Sequence, residues 1–149
     1  MKSKRRRFIS ASAAGLALLA VDRLHASPDR AQATLREITR GAAPEETRVE
    51  LDIPPLVENG NLVVLNVRVQ SPMTANDFVK TIYIVAEGNP LPNVITAHFT
   101  PRAGKAALST RVRLSESQRV WAIAETNKGT FFSGQASTIV TLAACTEER

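Results

Sequence analysis

From Val49 to Leu142 the chain runs as short segments in which apolar and polar residues alternate, cut at intervals by Pro, Gly and Asn. Neighbouring side chains on a strand point to opposite faces, so alternation gives each strand one apolar face that must be buried against a second layer. Val49, Leu51 and Ile53 alternate with Glu50 and Asp52, and Pro54-Pro55 ends the run. After an expected turn at Glu58-Asn59-Gly60-Asn61, Val63, Leu65, Val67 and Val69 face one way and Asn66, Arg68 and Gln70 the other. Ser71-Pro72-Met73-Thr74 breaks this strand. Phe78 to Ala86 is apolar on both faces, as in a strand covered on both sides. Gly88 to Pro92 is a rigid turn, and Val94 to Thr100 is the next strand, closed by Pro101 and Gly104.

Leu108, Thr110, Val112 and Leu114 then oppose Ser109, Arg111 and Arg113. Ser115-Glu116-Ser117 connects them to a strand over Val120 to Glu125, in which Trp121 reads as a core residue. Asn127-Lys128-Gly129 turns into the last run, Phe131 to Leu142, with a bulge or bend expected at Ser133-Gly134-Gln135. About seven short strands with turns between them predict an all-β fold, an immunoglobulin-like antiparallel β-sandwich. A short N-terminal helix should pack on it. Ser27-Pro28-Asp29 is a helix start, Ala31, Leu35 and Ile38 fall at helical spacing, and Gly41 stops the helix. Ala42 to Glu46 is a linker.

The 149 residues support one domain, and 44% hydrophobic residues supply a core, while 5% aromatics suit a small sandwich better than a large pocketed enzyme. The formal charge of +5 hints at nucleic acid, but its distribution removes the hint. Residues 1–26 hold six of the 19 basic residues and one of the 14 acids, which leaves 13 of each. The remaining domain is near neutral and no nucleic-acid partner is expected.

Those first 26 residues read as an export signal. Lys2 to Arg7 is basic, and Ile9 to Val21 is a weakly apolar stretch of 13 residues, shorter than the ~20 that span a membrane. No membrane insertion is expected. Arg5-Arg6-Arg7-Phe8-Ile9 resembles the twin-arginine signature, and Ser10, Ser12 and Gly15 soften the apolar stretch as that route prefers. Cleavage would follow Ala26 or Ala33. The expected compartment is the bacterial periplasm. Twin-arginine cargo crosses folded, typically loaded with a cofactor or joined to a partner. No cofactor motif is present, which leaves a signal-less partner subunit as the reason.

Cys145 is the single cysteine, in a compartment that oxidises thiols. With no internal partner it must be free, modified, or bonded to another molecule, for instance in a disulfide dimer of two copies through Cys145. Read by itself it is either an unused thiol on a polar terminal segment or a thiol held out for covalent chemistry. Leu142-Ala143-Ala144-Cys145 matches a lipoprotein cleavage box only by pattern, since that box must follow an N-terminal signal. Other catalytic arrangements are lacking. There is no Gly-rich phosphate loop, and no cluster of His, Cys and acids for a metal. His98 reads as a strand residue, and a Cys145–His98 pair has no third orienting group. Asp77 and Glu87 bracket a strand without a pocket between them. No catalytic residue, metal ligand or cofactor is assigned.

The order and spacing of several short segments add a resemblance. They are Pro55-Leu-Val-Glu-Asn-Gly60, Ser71-Pro-Met-Thr74, Asn89-Pro-Leu-Pro92, Phe99-Thr-Pro101, Ser109-Thr-Arg-Val-Arg-Leu114, Gln118, Ala124-Glu125 and Val140-Thr-Leu142. Together with the leader, they make the chain resemble the SoxY family, the sulfur carriers of periplasmic thiosulfate oxidation. The resemblance implies an immunoglobulin-like fold and a heterodimer with a signal-less SoxZ-like subunit. It also implies a C-terminal arm whose cysteine, here Cys145, carries sulfur intermediates covalently to transient partner enzymes of the Sox system. The carrier would then be their substrate and not itself an enzyme.

The family's arm reads Gly-Gly-Cys-Gly-Gly, whereas Cys145 is flanked by Ala143, Ala144, Thr146 and Glu147. Alanine keeps the arm slim but stiffer than glycine. Thr146 adds bulk, and Glu147, Glu148 and the terminal carboxylate disfavour a thiolate whose ordinary pKa is about 8.5. The organisation expected is a twin-arginine signal over 1–26, helix and linker over 27–46, an immunoglobulin-like SoxY domain over 47–142, and a cysteine arm over 143–149. The reading that competes with a carrier is a non-catalytic immunoglobulin-like interaction subunit whose cysteine tail is vestigial or repurposed.

Overall fold

The computed structural model describes residues 28–142; the leader, Ser27 and the arm from Ala143 through Cys145 lie outside them. The helix α1 spans Pro28–Thr39, with Asp29 in its first turn. Proline fits there because the first helical N–H has no partner to lose. Gly41 N–H donates to Arg36 O at 2.9 Å and Arg40 N–H to Glu37 O at 3.2 Å. This pairing closes the helix with Arg40, not glycine, at the left-handed position, φ 54°. Gly41 follows it with φ 80°, so the expected stop is displaced by one residue.

Eight strands follow: β1 (Val49–Asp52), β2 (Leu56–Asn59), β3 (Val63–Val69), β4 (Val79–Ala86), β5 (Asn93–His98), β6 (Ala106–Val112), β7 (Gln118–Thr126) and β8 (Phe131–Leu142). They form the expected two-sheet sandwich, a three-stranded sheet β1-β3-β6 and a five-stranded sheet β2-β8-β7-β4-β5. The eighth strand is β2, which takes in Glu58 and Asn59 of the expected turn and leaves the turn itself at Gly60-Asn61. It has four residues with little burial, and it pairs parallel to β8, so the sandwich is not purely antiparallel. Prolines 54 and 55 precede it, which suits an edge strand with one unpaired side.

Alternation assigns the faces as expected. Val63, Leu65, Val67 and Val69 of β3 are buried against Ile82, Ile84 and Ala86 of β4 and Val120, Ala122 and Ala124 of β7 in one core. The opposite parity of β4 and β7 turns Val85, Trp121 and Ile123 outward, where Phe131 joins them beneath Ala31, Leu35 and Ile38 of α1. The helix thus roofs the outer face of the five-stranded sheet. Trp121 is buried in that layer, not between the sheets.

No bulge occurs at Ser133-Gly134-Gln135. The register of β7 against β8 runs unbroken from Gln118↔Thr138 to Glu125↔Phe131. Glycine stands at position 134 for a different reason: a Cβ there would lie 2.6 Å from Val49 O, so the missing side chain lets β1 approach β8 across the sandwich. The irregularities fall in β4, between Ile84 and Val85 against β5 and between Val79 and Thr81 against β7.

Candidate functional site

The end of β8 leads to the cysteine segment, and a set of contacts fixes its position. Thr138 Oγ1 donates to Pro54 O at 2.7 Å, and Ile139 N–H donates to Pro55 O at 2.9 Å. Val140 N–H donates to Ser117 Oγ at 2.9 Å, which covers the strand where β7 has not yet begun. Thr141 Oγ1 donates to Glu58 O at 3.1 Å, and Gly60 N–H to Leu142 O at 2.9 Å. The strand is therefore held to its last described residue by β2 and the turn after it. Leu56 and Ile139, paired across β2 and β8, are both more than half exposed, as is Leu142.

Next to this end, the turn after β4 is welded to the β6–β7 connection by a buried amide network. Asn89 Nδ2 donates to Arg113 O at 2.8 Å, and Asn89 Oδ1 accepts from Ser115 N–H and Gln118 Nε2, each at 3.1 Å. Gly88 N–H donates to Gln118 Oε1 at 2.8 Å, and Ser115 Oγ donates to Gly88 O. Asn89 and Gln118 are both 9% exposed. Every amide group of this pair that faces inward meets a partner, which is what holds a polar network in a buried setting.

Sequence reasoning placed Glu125 at a strand end without giving it a role. The fold encloses it. Its side chain is 2% exposed, and Oε1 lies 2.9 Å from Lys80 Nζ and 3.0 Å from Arg40 at the end of α1. Tyr83 OH donates to Oε2 at 3.3 Å. Burial alone pushes the Glu125 carboxyl up, but Lys80 and then Arg40 outweigh it, so its pKa is lowered. The Tyr83 phenol is pushed up by burial, then by the charge of Glu125 and the hydrogen bond to it. The signal available in sequence was parity: Trp121, Ile123 and Glu125 share one face, and an acid continuing a buried apolar stripe needs cations brought by other elements.

The other candidates stay apart. His98 is exposed on β5, with Nδ1 3.3 Å from Thr81 Oγ1. Asp77 pairs with Lys128 at 3.0 Å, while Glu87 lies beyond the far end of β4, about 26 Å of strand away. Among the described residues no three His, Cys, Asp or Glu side chains gather as a metal ion would require. Among them also, no helix is long and apolar enough to cross a membrane. Cys145, Ala143, Ala144, Thr146 and Glu147 lie outside the described residues, so the structure presents the base of the arm and not its tip.

Against known families, residues 35–145 match the model of the sulfur oxidation protein SoxY. That span includes α1 from Leu35 onward, the whole sandwich, and Cys145 as its final residue. No curated protein matches the chain in sequence. Among solved structures, the sulfur carrier protein SoxY from Chlorobium limicola f thiosulfatophilum superposes with a TM-score of 0.62 at 22% identity, covering 78% of this chain and 100% of that one. A superoxide reductase (neelaredoxin) from Ignicoccus hospitalis gives a TM-score of 0.55 at 20% identity, covering 78% and 95%. At such identities both likenesses show a shared fold.

Proposed function

The chain belongs to the SoxY family of sulfur oxidation proteins, and on that premise we propose that it is a sulfur carrier whose Cys145 thiol holds oxidation intermediates covalently. The observation that carries this reading is the family match, which extends through the structured domain and closes on the single cysteine of the chain. The structure adds a fitting mechanical arrangement. Leu142 is anchored by Gly60, and Cys145 lies three residues further along the chain, a reach of at most about 11 Å.

In chemical terms, joining a thiolate to thiosulfate through a new S–S bond removes two electrons. A partner enzyme accepts them, so the carrier is a substrate and not a catalyst. The resemblance of Arg5-Arg6-Arg7-Phe8-Ile9 to a twin-arginine signature supports a periplasmic setting for this reading, with a signal-less SoxZ-like subunit as the proposed export partner. The arm departs from the Gly-Gly-Cys-Gly-Gly pattern, and Ala143, Ala144, Thr146 and Glu147 then select which enzymes accept it.

The test is intact-mass analysis of protein isolated from cells oxidising reduced sulfur compounds. Sulfur-containing adducts should appear and should vanish on reduction and in Cys145→Ser. An unmodified thiol throughout such growth would sink the carrier reading. Partner binding and phenotype unaffected by Cys145→Ser would instead favour a non-catalytic interaction subunit.

A further inference from the structure

Between α1 and the outer face of the five-stranded sheet lies a cleft of about 360 Å³. Gln32, Leu35 and Arg36 lie within one turn of each other and give it a helical wall. Arg119 and Trp121, two residues apart on β7, share its floor, which Gln135 of β8 continues opposite Trp121. The linker at Pro44 supplies a third side. That side is pinned, because Glu45 N–H donates to Phe131 O at 2.9 Å and Ser133 N–H donates to Glu45 O at 2.8 Å. All three sides are thus held by regular structure or by backbone hydrogen bonds, and the cleft is formed before any ligand arrives.

Charge is spread unevenly over this cleft. Arg36 enters from the helix and Arg119 from the sheet, and neither belongs to an ion pair found among the described residues. Arg119 is nonetheless held, with its guanidinium 5.4 Å over the Trp121 ring. Such a cation–π contact leaves the N–H donors in the guanidinium plane available to an acceptor. Glu46 is the acid among the lining residues, and it also lines an adjoining hollow of about 200 Å³ that neither arginine touches. The acid therefore stands where the two cavities meet, and the guanidinium groups stand away from it. Beside them Leu35 and the edge of Trp121, which is 8% exposed, supply apolar surface.

We propose that this cleft binds a small organic oxyanion, a sulfonate or carboxylate carried on a single ring or a short aliphatic body. The anionic head accepts hydrogen bonds from Arg36 and Arg119, whose planar sets of donors suit an oxyanion. The body lies against Leu35 and Trp121. An inorganic anion would meet only exposed guanidinium groups, whose attraction water and salt screen, and would leave the apolar surface uncovered. A neutral body would cover that surface and leave both cations unanswered. Cys145 takes no part in this binding, which is therefore independent of the carrier reading.

The test titrates benzenesulfonate into the full chain and follows Trp121, the single tryptophan, by fluorescence. Its emission should change to saturation. Over the same concentration range the indole N–H of Trp121 and the backbone amide of Gln135 should shift in nuclear magnetic resonance spectra. Benzenesulfonamide, an uncharged analogue of similar shape, and inorganic sulfate should each bind more weakly by about tenfold or more. Benzenesulfonate should lose affinity for Arg36→Gln/Arg119→Gln by a similar factor, the scale of one or two charge-assisted hydrogen bonds. Lys128→Gln, whose ion pair with Asp77 lies outside the cleft, should bind as wild type does. Equal affinity for sulfonate and sulfonamide, sulfate bound as tightly as benzenesulfonate, or no saturable response from Trp121 would each overturn the proposal. The comparison of the three probes needs no variant, so a misfolded mutant does not remove the test.

Discussion

Glu125 Oε1 lies 2.9 Å from Lys80 Nζ, although only 2% of the glutamate side chain meets solvent. The two residues sit on β7 and β4, neighbouring strands of the five-stranded sheet. With Arg40 added from the end of α1, they join helix and sheet through charge at the rim of an otherwise apolar interface.

This cluster sets a pH dependence. The Glu125 carboxyl is held below its ordinary value of 4.5 in the fold, against the opposing effect of burial. A depressed folded value means stability that is fully present above about 4.5 and is lost as pH falls through the folded value. Glu125→Gln should lower stability at neutral pH by about 1–3 kcal/mol. Its urea midpoint should then fall less than that of wild type between neutral and acidic pH. Lys80→Met/Arg40→Met leaves a buried carboxylate without cations, on the order of 3–5 kcal/mol at neutral pH. In this variant burial, the largest influence on Glu125, is opposed only by the Tyr83 hydroxyl, so the slope contributed by that group reverses and acidification recovers stability. A double variant with the wild-type slope would refute the account.

Arg40 has a strained backbone, φ 54°, and an ion pair on a side chain that is 66% exposed. Left-handed backbone disfavours any residue with a Cβ by about 1 kcal/mol, while an exposed ion pair contributes about 0–1 kcal/mol. Arg40→Ala keeps the strain and loses the pair, so it should destabilise. Arg40→Gly loses the pair but relieves the strain, so it should lie close to wild type and above Arg40→Ala in denaturant midpoint.

Gly134→Ala tests the approach of the two sheets. The added Cβ would meet Val49 O at 2.6 Å, a backbone atom that moves only if β1 moves. A loss of about 1–3 kcal/mol is expected, the range of an overpacked site. Exchange of the β1 amides should quicken most, and exchange confined to β8 would point elsewhere.

Trp121 is the single tryptophan and lies beneath α1, which makes its fluorescence a report on helix docking. Leu35→Ala/Ile38→Ala removes the apolar face of the helix from that layer. Emission should shift to the red at denaturant concentrations where the sheet signal in far-ultraviolet circular dichroism is still intact. Simultaneous loss of both signals would show that helix and sandwich unfold as one unit.

The period of two, the turn residues and the proline at the start of α1 carry local information, and they determined the two-sheet sandwich, its buried faces and its short helix from sequence alone. The order and spacing of short segments, with the leader, carried the family resemblance in the same way. The tertiary structure decided whatever depends on partners distant in the chain. It made Leu56–Asn59 a strand, because β8 supplies its hydrogen bonds from the opposite end of the domain. It gave Gly134 a packing role in place of a bulge, because Val49 arrives from the other sheet. It turned Glu125 from a strand-end acid into a buried ionic hub, because Arg40 and Lys80 converge on a face that α1 covers. Periodicity states which side of a strand is buried, but only the assembled sheets determine what meets it there.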